Sequence, residues 1–148
     1  VLELYSGAGL FTLPLAALAG DRGQVLSLEG NEQAVRDARR TLHDHPTARL
    51  ASGRVSARSV RELAGSITGG RPDVVVLDPP RQGAGREVIE AVGALGAERI
   101  VLVACDPAAL ARDLGTLLRS GYTLGSMSAL DMFPHTHHFE TIAVLERS

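Results

Sequence analysis

The sequence has a single cysteine, no tryptophan, no lysine and only 3% aromatic residues. One thiol cannot close an internal disulfide, so the core has to hold the fold, and a reducing, cytoplasmic compartment is expected. Scarce aromatics leave few flat surfaces on which bases could stack. No apolar run approaches the roughly 20 residues of a membrane span, and no signal-peptide pattern is visible. All fifteen basic residues are arginine, a bias that GC-rich coding explains more simply than fifteen selected contacts. The net charge of −2 argues against a stand-alone nucleic-acid binder, which is usually basic. An initiating methionine is also missing, and Val1 falls inside a strand-like run, so upstream sequence is expected.

What is present suffices for one domain: 148 residues, 45% of them hydrophobic and 22% charged. Short β-branched runs alternate with helical patterns, which predicts βαβ units and a parallel sheet. Strands are expected at Val1–Tyr5, Gln24–Glu29, Asp73–Asp78 and Arg99–Ala104, with a weaker one near Leu50–Val55. Helices are expected near Phe11–Ala19, Glu32–His43, Val60–Ile67, Arg86–Leu95 and Ala108–Arg119. The runs Val74–Leu77 and Ile100–Val103 show no polar alternation, so helices should cover both of their faces. After Gly121 two strands, Tyr122–Leu130 and Phe139–Leu145, follow with no helix between them, which predicts an antiparallel pair. The fold class is therefore α/β, a doubly wound and mostly parallel sheet of the Rossmann-like methyltransferase type with an antiparallel last strand.

Ligands of open α/β sheets sit beyond the carboxyl ends of the strands, and every polar cluster of note falls there. The first strand runs into Ser6-Gly7-Ala8-Gly9, where glycine lets the backbone turn tightly and approach a ligand. Glu29 ends the second strand, twenty residues past Gly9, placed to accept hydrogen bonds from ribose hydroxyls. These features fit a nicotinamide dinucleotide almost as well as S-adenosylmethionine, although Thr12 replaces the third glycine of the dinucleotide pattern. They are also compatible with a plain turn and a solvated glutamate.

Asp78-Pro79-Pro80-Arg81-Gln82-Gly83 follows the next apolar strand. The prolines stiffen the loop and hold Asp78 extended, so a fixed carboxylate beside Arg81 suits a planar polar ligand. Methyltransferases of exocyclic amino groups usually carry an aromatic where Arg81 stands. A rigid turn with a helix-capping Asp is the simpler alternative. Cys105 precedes Asp106, a good N-cap, and Pro107, suited to the first helical position. A helix N-terminus favours thiolate over thiol, whereas a buried cysteine would be inert. Near the C-terminus, Asp131–Glu140 holds three histidines and two carboxylates. A metal site is disfavoured there because the only thiol is distant in sequence. Strand alternation instead puts His138 and Glu140 on one face, with Phe139 and Thr141 on the other, and Glu140 could act as a base.

Together the runs Leu4–Pro14, Asp78–Gly83, Cys105–Pro107 with Leu110–Leu114, and Asp131–Glu140 resemble the RNA uracil-5-methyltransferase family, which acts on tRNA and ribosomal RNA. The resemblance spans almost the whole chain and is to the C-terminal catalytic domain, with an N-terminal RNA-binding part expected to be absent. It implies S-adenosylmethionine as cofactor, RNA as partner and neither membrane nor metal. Cys105 would be the nucleophile that adds to carbon 6 of uracil, and Glu140 the base that removes the carbon-5 proton. Asp78, Arg81 and His138 would lie beside the target base. Tyr5, Ser6, Gly7, Gly9, Glu29 and Asp78 would form the cofactor site. The sequence departs from the family's usual residues at Glu3, at Ser6 and at Arg54, where an acidic residue often follows the glycine. The isolated chain is expected to turn over poorly. A nicotinamide-dependent oxidoreductase and a non-catalytic methyltransferase remnant are the competing readings.

Overall fold

The computed structural model describes residues 1–132 and 139–148. Its strands are β1 (Leu2–Leu4), β2 (Val25–Glu29), β3 (Ala48–Ser52), β4 (Val74–Leu77), β5 (Arg99–Ala104), β6 (Tyr122–Leu130) and β7 (Glu140–Arg147). They form one seven-stranded sheet in the order β3-β2-β1-β4-β5-β7-β6. The first five are parallel, and β7 runs antiparallel to both β5 and β6. The helices are α1 (Thr12–Ala19), α2 (Glu32–Thr41), α3 (Ala57–Gly65), α4 (Arg86–Ala94) and α5 (Pro107–Arg119). From β1 the chain first builds outward to β2 and β3, then returns to the other side of β1 with β4. That reversal is where open α/β sheets leave a crevice.

The main core lies where strand residues meet α3, α4 and α5. Leu2, Leu4, Leu77, Ile100, Leu102 and Leu145 are fully buried there, with Val60, Ile89 and Leu117 from the helices. Each such side chain contributes about 1.5–3 kcal/mol by leaving water. The other face is less completely covered: in β5 and β7, Val101, Ile142 and Val144 keep partial exposure while their neighbours Leu102 and Ala143 have none. Of the two runs expected to be covered on both faces, Val76 and Val103 are buried, while Val74 and Val101 stay partly exposed. The edge strand β6 is exposed apart from Tyr122, whose hydroxyl donates to Ala97 O at 2.9 Å.

Local sequence explains most helix starts. Asn31 accepts from the amides of Gln33 and Ala34, and Asp106 accepts from Ala109 with Pro107 behind it. The weakest expectation is corrected most. The third strand begins at Ala48 rather than Leu50, and the helix after it begins at Ala57 rather than Val60. A reciprocal cap between Ser56 and Ser59 sets that earlier start, a capping pair without the usual acidic partner. β1 stops at Leu4 because Tyr5 takes a left-handed backbone, φ 62°.

Candidate active site

Three strand ends and two loops converge at the crevice. After β1 the chain turns through Tyr5, the one non-glycine residue with positive φ among those described. Such a conformation costs of order 1–3 kcal/mol and persists where surroundings enforce it. Here the amides of Tyr5 and Ser6 both donate to Leu28 O, at 2.9 and 3.3 Å. The Tyr5 hydroxyl reaches Ala84 O at 3.5 Å, across to the loop that follows β4. Burial, aided by the charge of Asp113, pushes that hydroxyl's pKa up to about 12, so it remains a neutral donor.

The glycine loop is held from β2. Glu29 Oε2 accepts from the Gly7 amide at 2.9 Å, and its Oε1 accepts from the Asn31 amide at 2.6 Å. Gly9 lies buried against α2, where an added Cβ would sit 3.2 Å from Ala38 Cβ. Ser6 is also buried, and its Oγ finds no hydrogen-bond partner among the described residues.

These loops enclose a cavity of about 900 Å³ lined by Tyr5, Gly7, Glu29 and Gly30 on one side and by Asp78–Pro80 and Gln82–Gly85 on the other, with Arg54 and Val55 completing the wall. Four of the expected cofactor residues, Tyr5, Gly7, Glu29 and Asp78, thus line one space. Ser6 and Gly9 belong to the same loop but stand outside the lining. Arg54, the departure noted in the sequence, is in the wall itself.

Cys105 and Glu140 are not part of that lining. Their place follows from register: Ala104 of β5 pairs with Thr141 of β7, so Cys105, one past Ala104, and Glu140, one before Thr141, lie at the same end of the β5–β7 pair. Thr141 is buried toward the main core, and Glu140 therefore takes the other face, as alternation requires. Asp78 belongs to the same group. Its pKa is raised first by desolvation and then by the charge of Glu140. The structure thus brings Asp78, Cys105 and Glu140 together at the ends of β4, β5 and β7. Cys105 is half-buried just before the α5 N-terminus. Arg81 is exposed on the loop beyond Asp78, outside the cavity. His138 lies outside the described residues, as do the other two histidines of its run. Among the described residues no three His, Cys, Asp or Glu side chains group as metal ligands, and no helix is long and apolar enough to cross a membrane.

One contact was invisible from local pattern. Asp113 of α5 is 5% exposed, and its Oδ2 accepts from the Ala84 amide at 2.9 Å. The only sequence signal was its place in the run Leu110–Leu114.

Against known proteins, the tRNA (uracil-5-)-methyltransferase family profile matches residues 1–148. An RNA methyltransferase of Streptomyces avermitilis is 46% identical over 98% of this chain and 32% of its own length. A 23S rRNA (uracil(1939)-C(5))-methyltransferase of Acinetobacter baumannii is 38% identical over 99% of this chain and 31% of its own. The chain therefore spans about a third of these relatives. Among solved structures, the Pyrococcus abyssi tRNA (uracil-54, C5)-methyltransferase bound to S-adenosyl-L-homocysteine superposes with TM-score 0.78. It is 33% identical over 97% of this chain and 33% of that one. Fibrillarin of Aeropyrum pernix, at 15% identity and TM-score 0.75 over 96% of this chain and 64% of its own, shares the fold.

Proposed function

The chain belongs to the tRNA (uracil-5-)-methyltransferase family, and we propose that it supplies the cofactor pocket and the reacting side chains for methylation of carbon 5 of a uridine in tRNA or ribosomal RNA. The observation that carries this reading is the grouping of Asp78, Cys105 and Glu140 at adjoining strand ends, beside a cavity walled by Glu29 and the glycine loop.

The cavity suits an adenosine-containing cofactor. Its volume falls within the roughly 300–1,000 Å³ of small-molecule sites. Glu29 spends one hydrogen bond per carboxylate oxygen on backbone amides, which leaves acceptor capacity on both for ribose hydroxyls. S-adenosylmethionine bound there supplies an electrophilic methyl group. Tyr5 and Gly7 would border it, with Asp78 at the end toward Cys105.

Carbon 5 of uracil is a poor nucleophile. In this proposal the Cys105 thiolate adds to carbon 6, forming a C–S bond and moving the ring's π electrons into an enolate rich at carbon 5. Once carbon 5 carries the new methyl group, Glu140 takes its proton, the C5–C6 double bond re-forms and the C–S bond breaks. Asp78, Arg81 and His138 would orient the base, which has to leave its stack first, at a cost of a few kcal/mol. Which RNA and which uridine are chosen would depend on the rest of the full-length protein, and residues 1–148 alone should turn over poorly.

A nicotinamide-dependent oxidoreductase would use the same glycine turn but leaves the Asp78–Cys105–Glu140 group without a task. Calorimetry of the full-length protein with S-adenosylhomocysteine and with NAD separates the two. Binding of S-adenosylhomocysteine without NAD binding is expected, and the reverse would refute the methyltransferase reading.

A further inference from the structure

We propose that Asp113 is a positioning residue that clamps the Asp78–Gly85 loop onto α5, so that one helix sets the cofactor pocket and Cys105 relative to each other. The inference rests on the methyltransferase reading for its functional consequence, though not for the clamp itself.

The loop needs an outside anchor. It opens with two prolines and runs into α4, whose N-cap is Gly85 and carries no side-chain cap. The first amides of a helix require acceptors, and a nearby negative charge there is favourable. Asp113 supplies an acceptor and a carboxylate just ahead of that helix, from the neighbouring one. Its Oδ2 accepts from Ala84 at 2.9 Å, and the amides of Ala84 and Gly85 both favour its charged form. Burial is the larger influence and leaves the carboxyl's pKa above the ordinary aspartate value, while those amides and Arg112 offset part of the rise. Arg112 adds a second grip, donating to Gln82 O at 3.2 Å.

The fit is close enough to fix the residue above it. Gly83 has φ 82°, and a Cβ there would lie 2.7 Å from Asp113 Oδ2 and 3.2 Å from Ala109 Cβ. The loop therefore passes directly over α5, with glycine the one residue the gap admits. The clamped segment also forms the pocket wall: Gln82, Gly83, Ala84 and Gly85 all line the cavity, and Ala84 O receives the Tyr5 hydroxyl from across it. Cys105 stands two residues before the start of α5, and Asp113 lies in its second turn. Asp78, at the loop's other end, is fixed by β4. Loosening Asp113 should let the wall move without unfolding the sheet.

The test compares wild type, Asp113→Asn, Asp113→Ala and Leu117→Ala in the full-length protein. Leu117 is fully buried in the same helix and lines neither the loop nor the cavity, so its truncation reports plain loss of stability. The first readout is amide hydrogen exchange at Ala84 and Gly85. Exchange should accelerate at least about tenfold in Asp113→Ala and less in Asp113→Asn, which keeps one acceptor oxygen. Leu117→Ala should shift all core amides together without singling out these two. The second readout is S-adenosylhomocysteine affinity, expected to weaken about tenfold in Asp113→Ala and to stay within twofold in Leu117→Ala. Unchanged exchange at Ala84 and Gly85 in Asp113→Ala overturns the clamp. Loosened amides with unchanged affinity overturn its link to the pocket. A wild type that fails to bind S-adenosylhomocysteine counts against the proposed function instead, and the exchange readout still decides the clamp.

Discussion

At Glu3 a carboxylate sits at 1% exposure between β1, β2 and α1, with Thr12 Oγ1 and Ser27 Oγ both donating to its Oε2 at 2.5 Å. Its Oε1 has no hydrogen-bond partner among the described residues. Desolvation raises its pKa, the two hydroxyls oppose that, and Asp78 adds to the rise. The folded protein therefore holds this proton more tightly than the unfolded chain. Stability associated with Glu3 is complete below the ordinary value of 4.5 and is lost as pH climbs from there through the raised folded value. Glu3→Gln keeps an acceptor for both hydroxyls and has no proton to lose. Thermal melts from pH 4.5 to 7.5 should show the wild-type midpoint falling relative to the variant as pH rises. Parallel midpoints across that range would mean that Glu3 is not the titrating group. In the sequence, Glu3 registered only as a departure from the residue usual in the family it resembles. Its partners stand nine and twenty-four positions away, and no local pattern links them.

At the level of elements, the glycine loop shows what positive φ and close approach each require. Gly7 has φ 54° and open space where a Cβ would go, whereas Gly9 has φ 87° and Ala38 Cβ at 3.2 Å. Gly7→Ala should meet mainly the left-handed penalty of about 1–2 kcal/mol. Gly9→Ala meets that penalty and also pushes α2 away from the loop, so urea denaturation should rank it the less stable of the two. Equal losses would mean that α2 yields without cost. The elements themselves were largely legible: strand and helix order, the antiparallel final pair and the cap at Asp106 follow from apolar runs and local hydrogen-bonding chemistry. The shifts occurred at a local cap without the usual acidic partner and at a turn set by a distant carbonyl. Ser56 and Ser59 cap each other and start α3 early, and Tyr5 bends out of β1 because Leu28 O collects two amides.

For the molecule as a whole, topology does what sequence spacing cannot. Asp78, Cys105 and Glu140 are separated by dozens of positions, yet the β4-β5-β7 order puts their strands side by side. The resemblance to a family suggested that grouping, and register supplies it physically. The parts left unread in the sequence were long-range contacts from one side chain to another element's backbone, above all Asp113 to Ala84 and Glu29 to Gly7. The net charge of −2 is unlike the basic balance of stand-alone nucleic-acid binders. The central claim is that Cys105 attacks the uracil ring. A 5-fluorouracil-containing RNA substrate carries fluorine where Glu140 would take a proton, so the C–S bond cannot be released. With S-adenosylmethionine and the full-length protein, a denaturation-resistant protein–RNA adduct should form, persist in Glu140→Gln and vanish in Cys105→Ala. An adduct that survives Cys105→Ala, or none from a folded wild-type protein that binds S-adenosylhomocysteine, would contradict the account.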